Sequence, residues 1–222
     1  MSIEACIYNP SVQTTLANWP YQVYNICGAI TADLDTIRAS SLTLEAASGG
    51  AARDLVMVMS LDDLVIGDRM YRATAPGFRA ANFYGDAVAT ATSHVWGAST
   101  PPLLPGVTEL VQRVVELDMS VIILTGRREG RRAETVASLV YAGLAGAGAG
   151  AIFAEAELQD PQGALQMRPD DDDRPSEYGF KFERCQMVEK NYRIALNVGT
   201  QLSAMVAGDR QLLCPHQLYI VA

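Results

Sequence analysis

The sequence predicts an α/β protein of three layers: a central, mainly parallel sheet between helices, with an N-terminal helical extension over residues 1–53 and a small cap-like insertion. Three observations carry this. Short apolar runs recur at Leu55–Met59, Val121–Leu124 and, interrupted only by Asn197, Ile194–Val198, and such runs mark strands buried on both faces. Stretches with apolar residues at helical spacing alternate with them, the order that builds a parallel sheet. The first run also ends abruptly in Ser60-Leu61-Asp62-Asp63. In an open parallel sheet ligands bind beyond the carboxyl ends of the strands, so acids placed there face a crevice. A plain polar loop after a buried strand is the alternative.

With 222 residues, 49% of them hydrophobic, the chain can bury a proper core and is expected to form one domain with an appendage. No apolar run approaches the roughly 18 residues a membrane span needs, and Met1–Cys6 lacks a basic region followed by an apolar one, so a cytoplasmic protein is expected. A formal charge of −8 and a pI near 4.7 argue against a nucleic-acid surface, which needs a basic face. Cys6, Cys27, Cys185 and Cys214 show no Cys-x-x-Cys and no zinc spacing, and are expected to be reduced and buried. With only two histidines, His94 and His216, a His-rich metal site is excluded.

In chain order, a helix is expected from about Gln22 to Leu44, with Ile26, Ile30, Leu34 and Ile37 at helical spacing and Ser48-Gly49-Gly50 at its end. Its role is packing. Residues 64–105, broken by Ala75-Pro76-Gly77-Phe78 and Pro101-Pro102, suit a lid or pocket wall, with Tyr71, Phe78, Phe83, Tyr84 and Trp96 as candidate lining; an irregular surface loop with ordinary aromatic packing fits equally. A helix over Val107–Leu117 follows, with Leu110, Val111, Val114 and Val115 on one face. The strand Val121–Leu124 closes in Thr125-Gly126-Arg127-Arg128, and a helix runs from Arg131 to Leu144.

The glycines of 142–150 follow a helix and precede the expected strand Ala151–Ala154, whereas a phosphate-cradling loop follows a strand and opens a helix. Residues 157–178 are expected to be a loop in which Asp170–Asp173 repel one another and stay solvated and mobile. A helix over Phe180–Lys190, a strand over Tyr192–Val198 and a last edge strand over Leu212–Val221 complete the chain.

Four strand-end motifs, in order, resemble the haloacid-dehalogenase superfamily, and in detail its acid-phosphatase branch, which includes plant vegetative storage proteins. Ser60-Leu61-Asp62-Asp63-Leu64 stands where that family has Asp-x-Asp-x-Thr. Leu124-Thr125-Gly126-Arg127 matches the second motif, Lys181 the lysine of the third, and Gly199-Thr200-Gln201-Leu202-Ser203-Ala204 the Gly-Asp-x-x-x-Asp turn of the fourth. The resemblance spans about residues 53–222, including the ending Cys214-Pro215-His216-Gln217-Leu218-Tyr219-Ile220. A different register, with Gly208-Asp209 as the fourth motif, lies well past the apolar strand; Asn9-Pro10-Ser11 offers no better first motif.

The departures bear on function. The resemblance implies a nucleophilic, Mg²⁺-binding aspartate where this chain has Ser60, a Mg²⁺ carboxylate where it has Thr200, and a supporting acid where it has Ala204. Mg²⁺ is normally held through one or two carboxylates, so loss of the metal and of the charge neutralisation that phosphoryl transfer needs is expected, with no cofactor. The expected site is Asp62 as general acid/base, with Lys181, Ser60 and Thr125 as catalytic candidates and Asp63, Arg127, Tyr71, Phe83, Tyr84 and Trp96 as substrate-binding ones. The alternative is that Asp62 only stabilises its loop.

Two classes of function follow. One is a metal-independent enzyme, of lyase, isomerase or cyclase type, acting on a small, largely apolar metabolite, with a Ser60–Lys181 pair as one variant. The other is a pseudophosphatase that binds or supports without turnover. Residual phosphatase activity is a third reading. A small-molecule ligand is the expected partner, with no nucleic acid and no membrane; the oligomeric state is not legible.

Overall fold

The computed structural model describes residues 19–62, 105–146, 151–174, 177–200 and 205–214. Strand β1 (Asp54–Ser60) is the axis of the molecule. It pairs in parallel with β2 (Ser120–Arg128) on one side and β4 (Tyr192–Gly199) on the other. Two outer strands, β3 (Leu165–Arg168) and β5 (Arg210–Leu213), complete a parallel sheet of order β3-β2-β1-β4-β5. Chain order moves outward from β1 to β3, then jumps back to β4 on the other side. That reversal makes the gap between β1 and β4 the topological switch point, where crevices open at the strand C-termini.

Residues of β1 alternate between two cores, as the strand period of two requires. Leu55, Met57 and Met59 face a layer built from α1 (Trp19–Ala47), α2 (Val107–Glu116) and α3 (Arg132–Tyr141), while Val56 and Val58 face Phe180 and Cys185 of α5 (Glu177–Val188). Three layers result, as expected. Helix α1 buries Cys27, Ile30, Leu34, Ile37, Ser41 and Glu45, one stripe at helical spacing, and its apolar members belong to the same core as the sheet. Gly106, at φ 85°, precedes α2; a Cβ there would lie 2.9 Å from the Cys27 Cβ, so glycine is what lets α1 pass close. No described helix is long and apolar enough to cross a membrane.

The third strand is not where the sequence places it. Of Ala151–Ala154, Phe153 makes an isolated parallel bridge to Ala145, and the chain turns into a short helix, α4 (Glu155–Gln159). The strand is instead Leu165-Gln166-Met167-Arg168, inside the expected 157–178 loop, and all four residues are buried. Its polar members are satisfied locally: the Gln166 amide donates to the Gly163 carbonyl at 2.6 Å, and Arg168 Nε donates to Asp172 Oδ2 at 3.1 Å. The Asp170–Asp173 run is corrected by the same feature. Asp172 is buried between Arg168 and Arg174, accepts from the Arg174 backbone N–H at 3.0 Å and from its side chain, and is held below the usual carboxylate range, chiefly by Arg174. Asp170 Oδ1 accepts the Gly130 N–H at 3.0 Å.

Other boundaries shift less. Strand β2 runs on to Arg128, whose guanidinium donates to the carbonyls of Pro169 and Asp172. Helix α5 begins at Glu177, three residues earlier than expected. Strand β5 ends at Leu213, and the rest of the expected tail strand lies outside the described residues. Cys27, Cys185 and Cys214 are buried and unbridged; burial pushes the first two up to about 12.

At the N-terminal edge of the sheet, Glu45 of α1 accepts from the Arg53 backbone and guanidinium and from Arg193 of β4, and Arg193 in turn grips Asp209. These bonds, those to Arg53 first, lower Glu45 from the ordinary 4.5 to about 2. A depressed carboxylate contributes its stability above the unfolded-state value and loses it as pH falls toward the folded one. Wild-type urea midpoints are therefore expected to drop between pH 4.5 and about 2 more steeply than those of Glu45→Gln, which is less stable at pH 7; parallel acid limbs would refute this.

Candidate active site at the tips of β1, β2 and β4

Parallel register brings the ends of the three central strands level. Ser60 pairs with Leu124, and Met59 with Val198, so Ser60, Thr125 and Thr200 stand at one edge of the sheet, all three buried. The Leu61 N–H donates to the Leu124 carbonyl at 3.3 Å, keeping the chain beside β2 for one residue more and delivering Asp62 to Thr125.

Asp62 is the hub of the described site. Its Oδ2 accepts the Thr125 hydroxyl at 2.9 Å, and its Oδ1 accepts Arg127 Nε at 3.0 Å together with Arg127 Nη2. The Arg127 backbone N–H reaches the Thr125 Oγ1 at 3.2 Å, and the Thr200 hydroxyl lies 3.4 Å from the Asp62 carbonyl. The Asp62 and Arg127 side chains are 26% and 15% exposed, so the pair is partly withdrawn from solvent but reachable. Donors aimed at both carboxylate oxygens suit an ionised acceptor. A general acid has to carry a proton on one of those oxygens, so the clamp opposes that role while it is closed.

Lys181 is one-sidedly placed. It lies buried on α5 and donates to Glu177 Oε1 at 2.8 Å, an ion pair one turn apart on the same helix. Lys181 therefore has a carboxylate partner on its own helix. Its neighbour is an acid, which suits an ammonium and not the neutral amine a Ser–Lys pair requires. Glu177 is the residue sequence reasoning missed: a Cβ on Gly126 would overlap its Oε2, so the carboxylate covers the tip of β2 right beside Thr125 and Arg127. The signal was present as Glu177-x-x-x-Lys181, hidden by placing the helix start at Phe180.

The structure thus joins Asp62, Thr125 and Arg127 by hydrogen bonds, sets Ser60 and Thr200 at the adjoining strand ends, and brings Lys181 in through Glu177. Asp63, Tyr71, Phe78, Phe83, Tyr84, Trp96 and Ala204 lie outside the described residues. The alternative register fails: Asp209 pairs with Arg193 at the start of β4, the edge of the sheet opposite to Thr200.

Chemistry decides whether Mg²⁺ fits these donors. Ser60 and Thr200 offer neutral hydroxyls at the two strand tips, and the oxygens of Asp62 are engaged by Arg127 and Thr125. Among the described residues no group of three or more His, Cys, Asp or Glu is placed to hold a metal ion. A hard divalent cation wants carboxylate oxygens, and the described set does not fit it.

Fold and site together define an open parallel α/β protein with a polar cluster at the C-terminal tips of its central strands. A family model described as HAD superfamily, subfamily IIIB (Acid phosphatase), matches residues 36–221, and the chain belongs to that family. Among curated proteins, Acid phosphatase 1 of Solanum lycopersicum is 30% identical over 126 residues, which cover 55% of this chain and 44% of that one. The matched stretch is thus less than half the length of that relative. The class C acid phosphatase of Bacillus anthracis superposes with a TM-score of 0.57 at 15% identity, over 92% of this chain and 80% of that one. Its structure with tungstate bound gives 0.59 at 13%, over 93% and 81%. At such identities the likeness is one of fold.

Close approach of Glu177 to Gly126 is testable by a double-mutant cycle. Gly126→Ala is expected to cost roughly 1–3 kcal/mol by overpacking, and clearly less in a Glu177→Ala background, read from urea unfolding. An equal cost in both backgrounds would place the strain elsewhere.

Proposed function

We propose that this member of the acid-phosphatase family is a pseudophosphatase: it keeps the family fold and binds a small molecule at the strand tips without Mg²⁺-dependent phosphoryl transfer. The observation that carries the reading is Ser60 at the tip of β1, beside an Asp62 already clamped by Arg127 and Thr125. Phosphoryl transfer leans on positioning and charge neutralisation. A hydroxyl pair at Ser60 and Thr200 does not supply the carboxylates that would recruit a divalent cation for it.

The metal-independent enzyme reading draws support from one fact, that Asp62 is partly exposed. In it, Asp62 serves as a base once a substrate loosens the Arg127 clamp. The relatives named as acid phosphatases support the third reading, hydrolysis.

Turnover of p-nitrophenyl phosphate separates the three. Wild type is expected to show no Mg²⁺-dependent hydrolysis above background and no rise in melting temperature with Mg²⁺, while Ser60→Asp combined with Thr200→Asp gains a Mg²⁺ shift. Ligand that binds only the native state raises the melting temperature by mass action. Mg²⁺-dependent hydrolysis by wild type would install the phosphatase reading instead. Metal-free turnover of a small metabolite, lost in Asp62→Asn, would install the enzyme.

A further inference from the structure

The four charged side chains of the described site balance: Asp62 and Glu177 are acids, Arg127 and Lys181 bases. The two pairs are built differently. Asp62 and Arg127 come from different strand ends and tie the tips of β1 and β2 together. Glu177 and Lys181 share one helix, so their pairing adds no link between elements. What it does is fill space: one oxygen of the carboxylate takes the Lys181 ammonium at 2.8 Å, and the other lies over Gly126, at a distance that leaves no room for a Cβ. Both side chains are largely buried, 5% and 17% exposed, so the charges interact with little solvent screening. An incoming oxyanion seeking the same ammonium would meet this carboxylate first.

We infer that Glu177 is the resident anion of this site: its carboxylate occupies the place beside Lys181 and Gly126 that an oxyanion ligand would need, and so it biases the pocket toward uncharged ligands. The inference deepens the pseudophosphatase reading by naming the class of ligand, and rests on it. An anionic ligand has to displace Glu177 or share Lys181 with it, and two like charges held that close repel. Removing the carboxylate takes from Lys181 the acid it is paired with.

Tungstate titration by calorimetry, with Mg²⁺ absent, tests this in three proteins. Glu177→Gln keeps the helix and the shape but removes the charge, and is expected to bind tungstate on the order of tenfold or more tighter than wild type. Adding Lys181→Met to it should abolish the gain. Glu177→Asp keeps the charge at the helix start but withdraws the carboxylate from Gly126, and should show a smaller gain in the same direction; it also serves if Glu177→Gln is poorly folded. Equal affinity in wild type and both variants, or a gain that survives Lys181→Met, would overturn the inference. Hydrolysis of p-nitrophenyl phosphate, measured on the same samples with Mg²⁺, reports the pseudophosphatase reading separately: wild-type turnover would defeat that reading whatever the tungstate affinities, and unchanged affinities would defeat the Glu177 inference whatever the turnover.

Discussion

Burial of β1 on both faces is the constraint from which the rest follows. A strand with helices above and below and a partner on each side has no polar outlet along its length, so every residue from Leu55 to Ser60 is buried. Polar groups can appear only where the strand ends. Parallel pairing then aligns that end with those of β2 and β4, and the reversal of chain order beside β1 leaves a gap there. The position of the site is thus set by the core, before any catalytic residue is considered.

The two edges of the sheet divide the work. At the N-terminal edge, Glu45, Arg53, Arg193 and Asp209 tie α1, β1, β4 and the chain before β5 into one network of charge-assisted hydrogen bonds. It fastens the first helix to the sheet far from the crevice. At the C-terminal edge the described ion pairs, Arg127–Asp62 and Lys181–Glu177, hold the tips of β1 and β2 and the start of α5.

What the sequence makes legible follows from how each element is stabilised. Strands β1, β2 and β4 are buried along their middles and are mostly apolar there, so their runs stand out. Strand β3 was missed because Gln166 and Arg168 are buried with partners supplied three and four residues away, at Gly163 and Asp172. Apolar patterning cannot report a polar residue whose partner is local. Asp172 shows the same failure from the other side, since a run of acids suggests solvent until two arginines are seen to enclose one of them. In the site, Asp62, Thr125 and Arg127, singled out through their motifs, meet at the ends of β1 and β2, while Lys181 lies on α5 and joins them through Glu177. The hydrogen bonds among them were not legible, because a motif fixes position along the chain and not which donor meets which acceptor.

Charge balance links the substitutions at the strand tips to the residue that motif reading overlooked. A buried lysine is tolerated when an opposite charge lies within reach. The resemblance implies a carboxylate where this chain has Ser60, a neutral hydroxyl at the tip of β1. Glu177 supplies a carboxylate from the lysine's own helix, at 2.8 Å, and Gly126 leaves the room it needs. A local partner of this kind lets the lysine stay buried without the strand-tip acid. The buried ammonium is thus satisfied by a carboxylate of its own helix.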